Sequence, residues 1–179
     1  MTTPILETDR IILRPMKTSD AEEIFNNWAT DFDVLKYVRW NAHESINVTR
    51  EWLAFEEENL ENSNSYQWAF VNKGNGEIFG SGGLTYAEER KMFEIGYAIM
   101  KKYWNQGFAT EFADAMIDFA INCLKQTNIF GKHAKENPAS GKVLEKAGFV
   151  YYGDVEYSSF DGQRVFDSKE YIFTATPRL

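Results

Sequence analysis

The chain has 179 residues, of which 44% are hydrophobic and 16% aromatic, and this composition excludes a disordered protein and allows one buried core. Its 19 basic and 27 acidic residues give a net charge of −8, which disfavours nonspecific binding to nucleic acid or to an anionic membrane. The single cysteine excludes an intramolecular disulfide and suits a reducing compartment.

The sequence carries no recognisable targeting or metal-binding signal. Its opening, MTTPILETDR, lacks the basic start and apolar core of a secretory signal, and no apolar run approaches the roughly 18 residues of a membrane-spanning helix. His43 and His133 are too few and too far apart in the sequence to indicate a metal site. We therefore expect a cytoplasmic protein with one domain over residues 1–179 and without metal, nucleic-acid or membrane partners. An oligomer is compatible with the sequence.

The first hundred residues predict strands separated by two helical regions. Strand patterns bounded by turn residues occur at 7–16, 65–73, 77–86 and 92–100. Ser19 and Glu22 have the spacing of a capping box, which predicts a helix start, and residues 42–61 have helical propensity. The Gly-Asn-Gly turn at 74–76 joins its two neighbouring strands as a hairpin.

The second half of the chain mixes helices and strands. An amphipathic helix is predicted from 108 to 124, with Cys123 on its apolar side and therefore buried. The other predicted elements are a strand at 128–134, a short helix at 138–146, and a closing hairpin of strands at 149–157 and 163–173. Because strands precede, interleave with and follow the helices, the fold class is α+β with a mixed sheet.

The turn between the strand at 92–100 and the helix at 108 is a candidate anion site. The first four N–H groups of a helix have no internal acceptor, and the helix dipole places partial positive charge there, so a phosphate or diphosphate suits this position. Gly107 permits close approach, and Asn105 tolerates a left-handed backbone better than most residues. On spacing alone, an ordinary turn is the alternative interpretation.

Three segments resemble the GNAT acetyltransferase superfamily, in particular its RimJ/RimL-like branch. They are LETDRIILRPMKTSDAEEIF at 6–25, WNQGFATE at 104–111 and ENPASGKVLEKAGF at 136–149. Two departures are visible, because Trp104 stands where many members have Arg or Gln, and Asn105 where Gly is common. The resemblance implies a mixed sheet flanked by helices that splays after its fourth strand, with acetyl-CoA as co-substrate in the opening.

The resemblance also implies a set of cofactor-binding residues. They are Ile99, Met100, Trp104, Asn105, Gln106, Gly107, Phe108, Ala109, Thr110, Asn137 and Lys142. Backbone N–H groups near Ile99 and Met100 would stabilise the oxyanion. Asn137 would bond the pantetheine amides and Lys142 the 3′-phosphate, although a helix-entry turn and a solvated lysine are the ordinary alternatives.

Glu94 is the predicted general base. Strand alternation places Glu94, Gly96 and Ala98 on one face, where a carboxylate beside two small residues could border an open cleft. A solvated or ion-paired glutamate is the alternative. For the acid, many superfamily members have a tyrosine at the position of Leu144, which cannot donate a proton. The resemblance indicates Ser140 instead, as a hydrogen-bond donor to the leaving thiolate, although it could also serve only as a helix-start serine.

The predicted function is an acetyl-CoA-dependent N-acetyltransferase in which an amine attacks directly within a ternary complex. The acceptor is a primary amine, either a protein N-terminus or a small molecule. Trp40 and His43 are the predicted substrate-binding residues, and acceptor specificity is assigned to residues 28–60 and the loop at 157–163. The alternatives are an acyl-CoA-binding module without turnover and a phosphate-anchored binding protein for another nucleotide.

Overall fold

The computed structural model describes residues 1–175, which form an eight-stranded mixed sheet with helices on both faces. The strands are β1 (Leu6–Glu7), β2 (Ile11–Arg14), β3 (Ser65–Asn72), β4 (Ile78–Ala87), β5 (Met92–Ile99), β6 (Asn128–Ala134), β7 (Val150–Ser158) and β8 (Val165–Thr174). The α-helices are α1 (Ala21–Ile24), α2 (Phe32–Leu35), α3 (Ile46–Glu58), α4 (Phe108–Asn122) and α5 (Pro138–Lys146). The predicted α+β class with a mixed sheet is confirmed.

The sheet opens between β5 and β6. The strand order is β1-β2-β3-β4-β5-β6-β8-β7, and β5 and β6 are its parallel pair. These two strands pair only from Phe93–Ile95 to Ile129–Gly131, whereas β5 pairs with β4, and β6 with β8, along their whole lengths. Beyond Ile95 the facing edges therefore separate. This confirms the predicted splay, because the predicted first strand is β1 plus β2 and the predicted fourth strand is β5.

Two apolar cores cover the two faces of the sheet. One lies under α4 and α5 and is mainly aromatic, and the other lies under α1, α2 and α3 around Trp28 and Leu35. The start of α4 is anchored in the first core, because Phe108 is buried with its ring centroid 5.1 Å from that of Phe79 and 5.3 Å from that of Tyr103. Packing therefore fixes the first turn of α4 at the end of β5.

The entry to the first helix differs from the predicted capping box. Ser19 and Glu22 do not form the expected capping box. A 3₁₀ turn at Thr18–Asp20 precedes α1, and the Asp20 carboxylate accepts the Lys17 N–H at 2.9 Å. Asp20 is also held by an ion pair with Arg14 at 2.8 Å. Asp20, fixed by this arginine, therefore accepts the backbone N–H at the helix entry in place of Glu22.

The end of α4 also differs from expectation. The helix stops at Asn122, so Cys123 is the residue at which the chain turns away from the helix. Its thiol is free and exposed, which makes the prediction of a buried cysteine wrong.

Within residues 1–175, the helices are too short or too polar to cross a bilayer.

Candidate functional site

The turn before α4 has two left-handed residues. Asn105 has φ 59° and Gly107 has φ 84°, which confirms that Asn105 adopts the conformation expected of it. Gly107 occupies the N-cap position and has no side chain that could accept the N–H groups of the first turn. The N–H of Glu111 bonds to the Gly107 carbonyl at 3.0 Å, so the earlier N–H groups at 108–110 face outward from the helix end.

This turn fits a diphosphate. The residues from Trp104 to Gly107 are exposed, and the missing Cβ of Gly107 leaves room for an anion to approach the backbone. A Cβ at Gly107 would lie 3.3 Å from Nη2 of Arg10, so a guanidinium faces the same turn. Backbone donors, the helix dipole and a neighbouring cation all favour a negatively charged group here.

The end of β5 offers one of the two predicted backbone donors. Met100 donates its N–H to the Phe79 carbonyl at 2.7 Å, which corrects the prediction that this N–H is an oxyanion donor. Because donor directions alternate along an antiparallel pair, the N–H of Ile99 points away from β4 and into the gap. The Ile99 carbonyl accepts the indole N–H of Trp104 at 2.6 Å, which places Trp104 beside the gap.

Tyr97 and Ser140 meet across the gap. The Tyr97 hydroxyl on β5 lies 3.2 Å from Oγ of Ser140, the third residue of α5. Burial raises the pKa of Tyr97 to about 12, so this phenol is neutral near pH 7. Sequence reasoning did not select Tyr97, although the alternation of β5 turns it toward the face on which α5 packs. Leu144, by contrast, is buried in the core, as expected of a side chain without a polar group.

Glu94 lies on the other face of β5. A Cβ at Gly96, on the same face, would meet nothing within 4 Å, so the space beside Glu94 is open, as its small neighbours predicted. The carboxylate oxygens lie 3.4 and 3.5 Å from Nη2 of Arg39. Glu94 is therefore both ion-paired and next to a cleft, and its catalytic role stays a prediction.

Arg39 links Glu94 to the last hairpin. Its guanidinium carbon lies 5.4 Å from the ring centroid of Tyr157 on β7. The Tyr157 hydroxyl donates to the Tyr37 carbonyl at 2.6 Å, and burial raises the pKa of this phenol to about 12. Neither Arg39 nor Tyr157 was selected from the sequence, because no local pattern connects residues so far apart in the chain.

The two stretches assigned to acceptor specificity lie against each other. Arg164, after the hairpin turn, donates to the carbonyls of Leu35, Lys36, Val38 and Trp40 at 2.9 to 3.4 Å. The Phe160 N–H donates to the Arg39 carbonyl, and the Asn41 amide donates to Asp161, both at 2.7 Å. The segment at 35–41 and the loop at 159–164 thus form one wall beside Glu94, which we name the acceptor wall.

The two predicted substrate residues have different surroundings. Trp40 is half-buried within the acceptor wall. His43 is buried, with Nδ1 2.8 Å from the Thr49 hydroxyl and its ring centroid 5.7 Å from that of Trp52. Burial lowers the pKa of His43. The contacts of His43 are thus internal to the helical layer, and a substrate contact stays a prediction for both residues.

The remaining predicted cofactor residues lie on α5. Asn137 is half-buried at the N-cap position and donates its N–H to the Ala134 carbonyl at 2.8 Å. Lys142 is exposed on the second turn. Within residues 1–175, no three His, Cys, Asp or Glu side chains are grouped as ligands for a metal ion.

Comparison with known sequences gives one family. A family model described as an Acetyltransferase (GNAT) domain matches residues 10–150. The uncharacterized N-acetyltransferase YoaA of Bacillus subtilis (strain 168) is 28% identical over 169 residues, which cover 94% of this chain and 95% of YoaA. The uncharacterized protein YkkB of the same strain is 33% identical over 152 residues, covering 82% of this chain and 85% of YkkB.

Solved structures have the same fold. A putative ribosomal-protein-serine acetyltransferase from Vibrio cholerae has a TM-score of 0.84 at 18% identity, covering 97% of this chain and 99% of that chain. The Microcin C7 self immunity acetyltransferase MccE, in complex with acetyl-CoA and AMP, has a TM-score of 0.79 at 17% identity and covers 93% of both chains. The spermidine N-acetyltransferase from Vibrio cholerae, in complex with CoA and spermine, has a TM-score of 0.75 at 19% identity, covering 93% of this chain and 96% of that chain.

Proposed function

The chain belongs to the GNAT acetyltransferase family and uses acetyl-CoA, and on that premise we propose that it acetylates a primary amine by direct attack in a ternary complex. One observation carries the proposal. The gap between β5 and β6 ends at the turn before α4, whose first helical N–H groups face outward, and it has Glu94 on one face and the Tyr97–Ser140 pair on the other. A base and a hydroxyl donor on opposite sides of an opening suit acyl transfer through that opening.

The donor end is held by backbone. When bound, acetyl-CoA supplies the electrophilic thioester and a thiolate leaving group. We assign the diphosphate to the N–H groups of Gly107–Thr110, with Trp104, Asn105 and Gln106 completing the turn. Asn137 and Lys142 are the proposed contacts of α5 to the pantetheine arm and the 3′-phosphate. The Ile99 N–H, which points into the gap, is the proposed donor to the developing oxyanion.

The acceptor end needs a base. A terminal amine has a pKa of about 7.7–8.0 and a lysine amine about 10.4, and the protonated form cannot attack. We propose that Glu94 accepts the amine proton, directly or through a water molecule in the space beside Gly96. Arg39, at 3.4 Å, holds the carboxylate against the acceptor wall.

The hydroxyl pair is proposed to serve the leaving sulfur. Tyr97 has a pKa of about 12, so it is too weak an acid to give its own proton to a thiolate whose pKa is about 8.5. Its hydroxyl can instead donate to Oγ of Ser140, which leaves the Ser140 proton free to bond the thiolate. Tyr97 is in this scheme a positioning residue for Ser140.

We expect Ser140→Ala to lower kcat about tenfold and Tyr97→Phe about fourfold, with the KM for acetyl-CoA within twofold of wild type. Because Tyr97 acts through Ser140, the double variant should resemble Ser140→Ala alone in a double-mutant cycle. Tyr152→Phe, which removes an exposed hydroxyl from β7, is the matched control. Losses that multiply in the double variant would show that the two hydroxyls act separately.

The acceptor is proposed to be a protein N-terminus or a small amine. The three family segments and the likeness to a putative ribosomal-protein-serine acetyltransferase support the RimJ/RimL-like branch and an N-terminal amine. The likeness to a spermidine N-acetyltransferase supports a small polyamine. The net charge of −8 suits either cationic acceptor, and we propose the cytoplasm as the place of the reaction.

A thiol-release assay tests the proposal. The wild-type protein, with acetyl-CoA, is given peptides with free or blocked N-termini, polyamines and aminoglycosides, and free CoA thiol is measured. We expect thiol release that depends on an unblocked amine, with the acetylated product confirmed by mass spectrometry. Binding of CoA without amine-dependent thiol release from any acceptor would favour the non-catalytic module. Binding of another nucleotide in place of CoA would overturn the assignment of the turn.

A further inference from the structure

Arg10 spans the first turn of α4. Its Nη1 donates to the Gln106 carbonyl at 2.9 Å, and its Nε donates to Oε2 of Glu111 at 2.7 Å. Its guanidinium carbon lies 4.1 Å from the ring centroid of Phe108. One side chain therefore touches the residue before Gly107, the first helical residue and the end of the first turn. The resemblance and the family assignment give no role to this arginine.

The turn between β1 and β2 fixes Arg10 in this position. Thr8 accepts the Ile11 N–H at 3.0 Å and donates its hydroxyl to Oε1 of Glu111 at 2.5 Å. The Arg10 N–H donates to the same carboxylate oxygen at 2.8 Å. Burial alone would raise the pKa of Glu111, but the hydrogen bonds from Thr8 and Arg10 lower it, so this carboxylate is ionised.

The third guanidinium nitrogen, Nη2, is directed to the turn before α4. In the part of the chain from 1 to 175, Nη2 of Arg10 has no hydrogen-bond acceptor. It lies 3.3 Å from the position that a Cβ of Gly107 would take. Glu111 would repel a diphosphate bound at this helix end, and Arg10 both neutralises Glu111 and adds a donor beside Gly107.

We propose that Arg10 is a cofactor-binding residue, with Nε and Nη1 holding the turn and Nη2 contacting the diphosphate of CoA. The proposal rests on the proposed function, because it presumes that CoA binds at Gly107. A guanidinium suits this double role, since its planar fork can bond two acceptors at once while the ammonium of a lysine acts as a point charge.

Calorimetric titration with three ligands tests the contact. The ligands are CoA, 3′-dephospho-CoA, which keeps the diphosphate, and pantetheine, which lacks it. We expect Arg10→Ala to raise the Kd of both diphosphate-containing ligands about tenfold and to weaken their salt dependence, with pantetheine within twofold of wild type. Arg10→Lys should raise the Kd of CoA about threefold. Arg50→Ala, which removes an exposed guanidinium from α3, should leave the Kd unchanged.

The outcomes separate the two proposals. A wild-type protein that binds no CoA would overturn the proposed function itself. Suppose that the wild type binds CoA. If Arg10→Ala binds CoA equally well, or loses as much affinity for pantetheine as for CoA, Arg10 only stabilises the turn and only this inference fails. The double variant Arg10→Ala/Glu111→Gln distinguishes a contact from charge masking. We expect it to stay at least fivefold weaker for CoA, and full recovery would show that Arg10 only neutralises Glu111.

Discussion

We expect Glu94→Gln to lower kcat about 100-fold at pH 7, at the low end of the range for loss of a general base. The deficit should shrink as the pH rises toward and beyond the pKa of the acceptor, which is about 8 for a terminal amine, because an increasing fraction of the amine is already deprotonated. The amide keeps the size of the side chain and removes its ability to accept the proton. A pH–rate profile from pH 6.5 to 10 measures the effect.

Two variants serve as controls for Glu94→Gln. Glu89→Gln makes the same change at an exposed position in the turn between β4 and β5 and should leave the profile unchanged. Arg39→Ala removes the partner of Glu94 at 3.4 Å and tests the ion-pair interpretation. If Glu94→Gln and Arg39→Ala give the same loss at every pH, Glu94 acts through the ion pair and is not the base.

The second large effect is expected for Gly107→Asp, which should raise the Kd of CoA by at least about 100-fold, or about 2.7 kcal/mol. Three causes act together. The backbone at φ 84° disfavours a residue with a Cβ, the new Cβ would lie 3.3 Å from the Arg10 guanidinium, and the new carboxylate would repel the diphosphate. Calorimetric titration with CoA measures the affinity, and a thermal melt verifies that the variant is folded.

Gly162→Asp is the matched control for that prediction. Gly162 also has a left-handed backbone, with φ 70°, and a Cβ there would meet nothing within 4 Å. It therefore carries the same backbone strain and the same new charge at the tip of the β7–β8 hairpin, away from the cofactor turn. If a folded Gly107→Asp variant binds CoA as tightly as Gly162→Asp does, the diphosphate does not bind at this turn.

Local chemistry explains what could be predicted from the sequence. The left-handed Asn105, the glycine at the N-cap and the amphipathic pattern of α4 are all encoded within a few residues, so the turn was predictable. Alternation along β5 likewise predicted that Glu94 shares a face with an open position at Gly96. Both features depend on backbone preferences and on side-chain periodicity, which can be read without knowing which distant residues are in contact.

The contacts that complete the site are long-range. Arg10 and Glu111 are 101 residues apart, Arg39 and Glu94 are 55 apart, and Tyr97 and Ser140 are 43 apart. No local period encodes such pairs. The donor direction of Met100 was mispredicted for a related reason, because it depends on the register between β4 and β5 and alternation does not specify that register.

The opening between β5 and β6 also has a consequence for the stability of the sheet. Past Ile95 and Gly131 the two strands no longer pair with each other, so the Ile99 amide has no neighbouring strand on that side. A pantetheine arm, which is itself a chain of amides, can act there as an inserted strand and complete the ladder. Donor binding without any acceptor should therefore raise the melting temperature. It should also slow amide exchange at Tyr97, through the pantetheine amides, and at Ile99, through the thioester carbonyl.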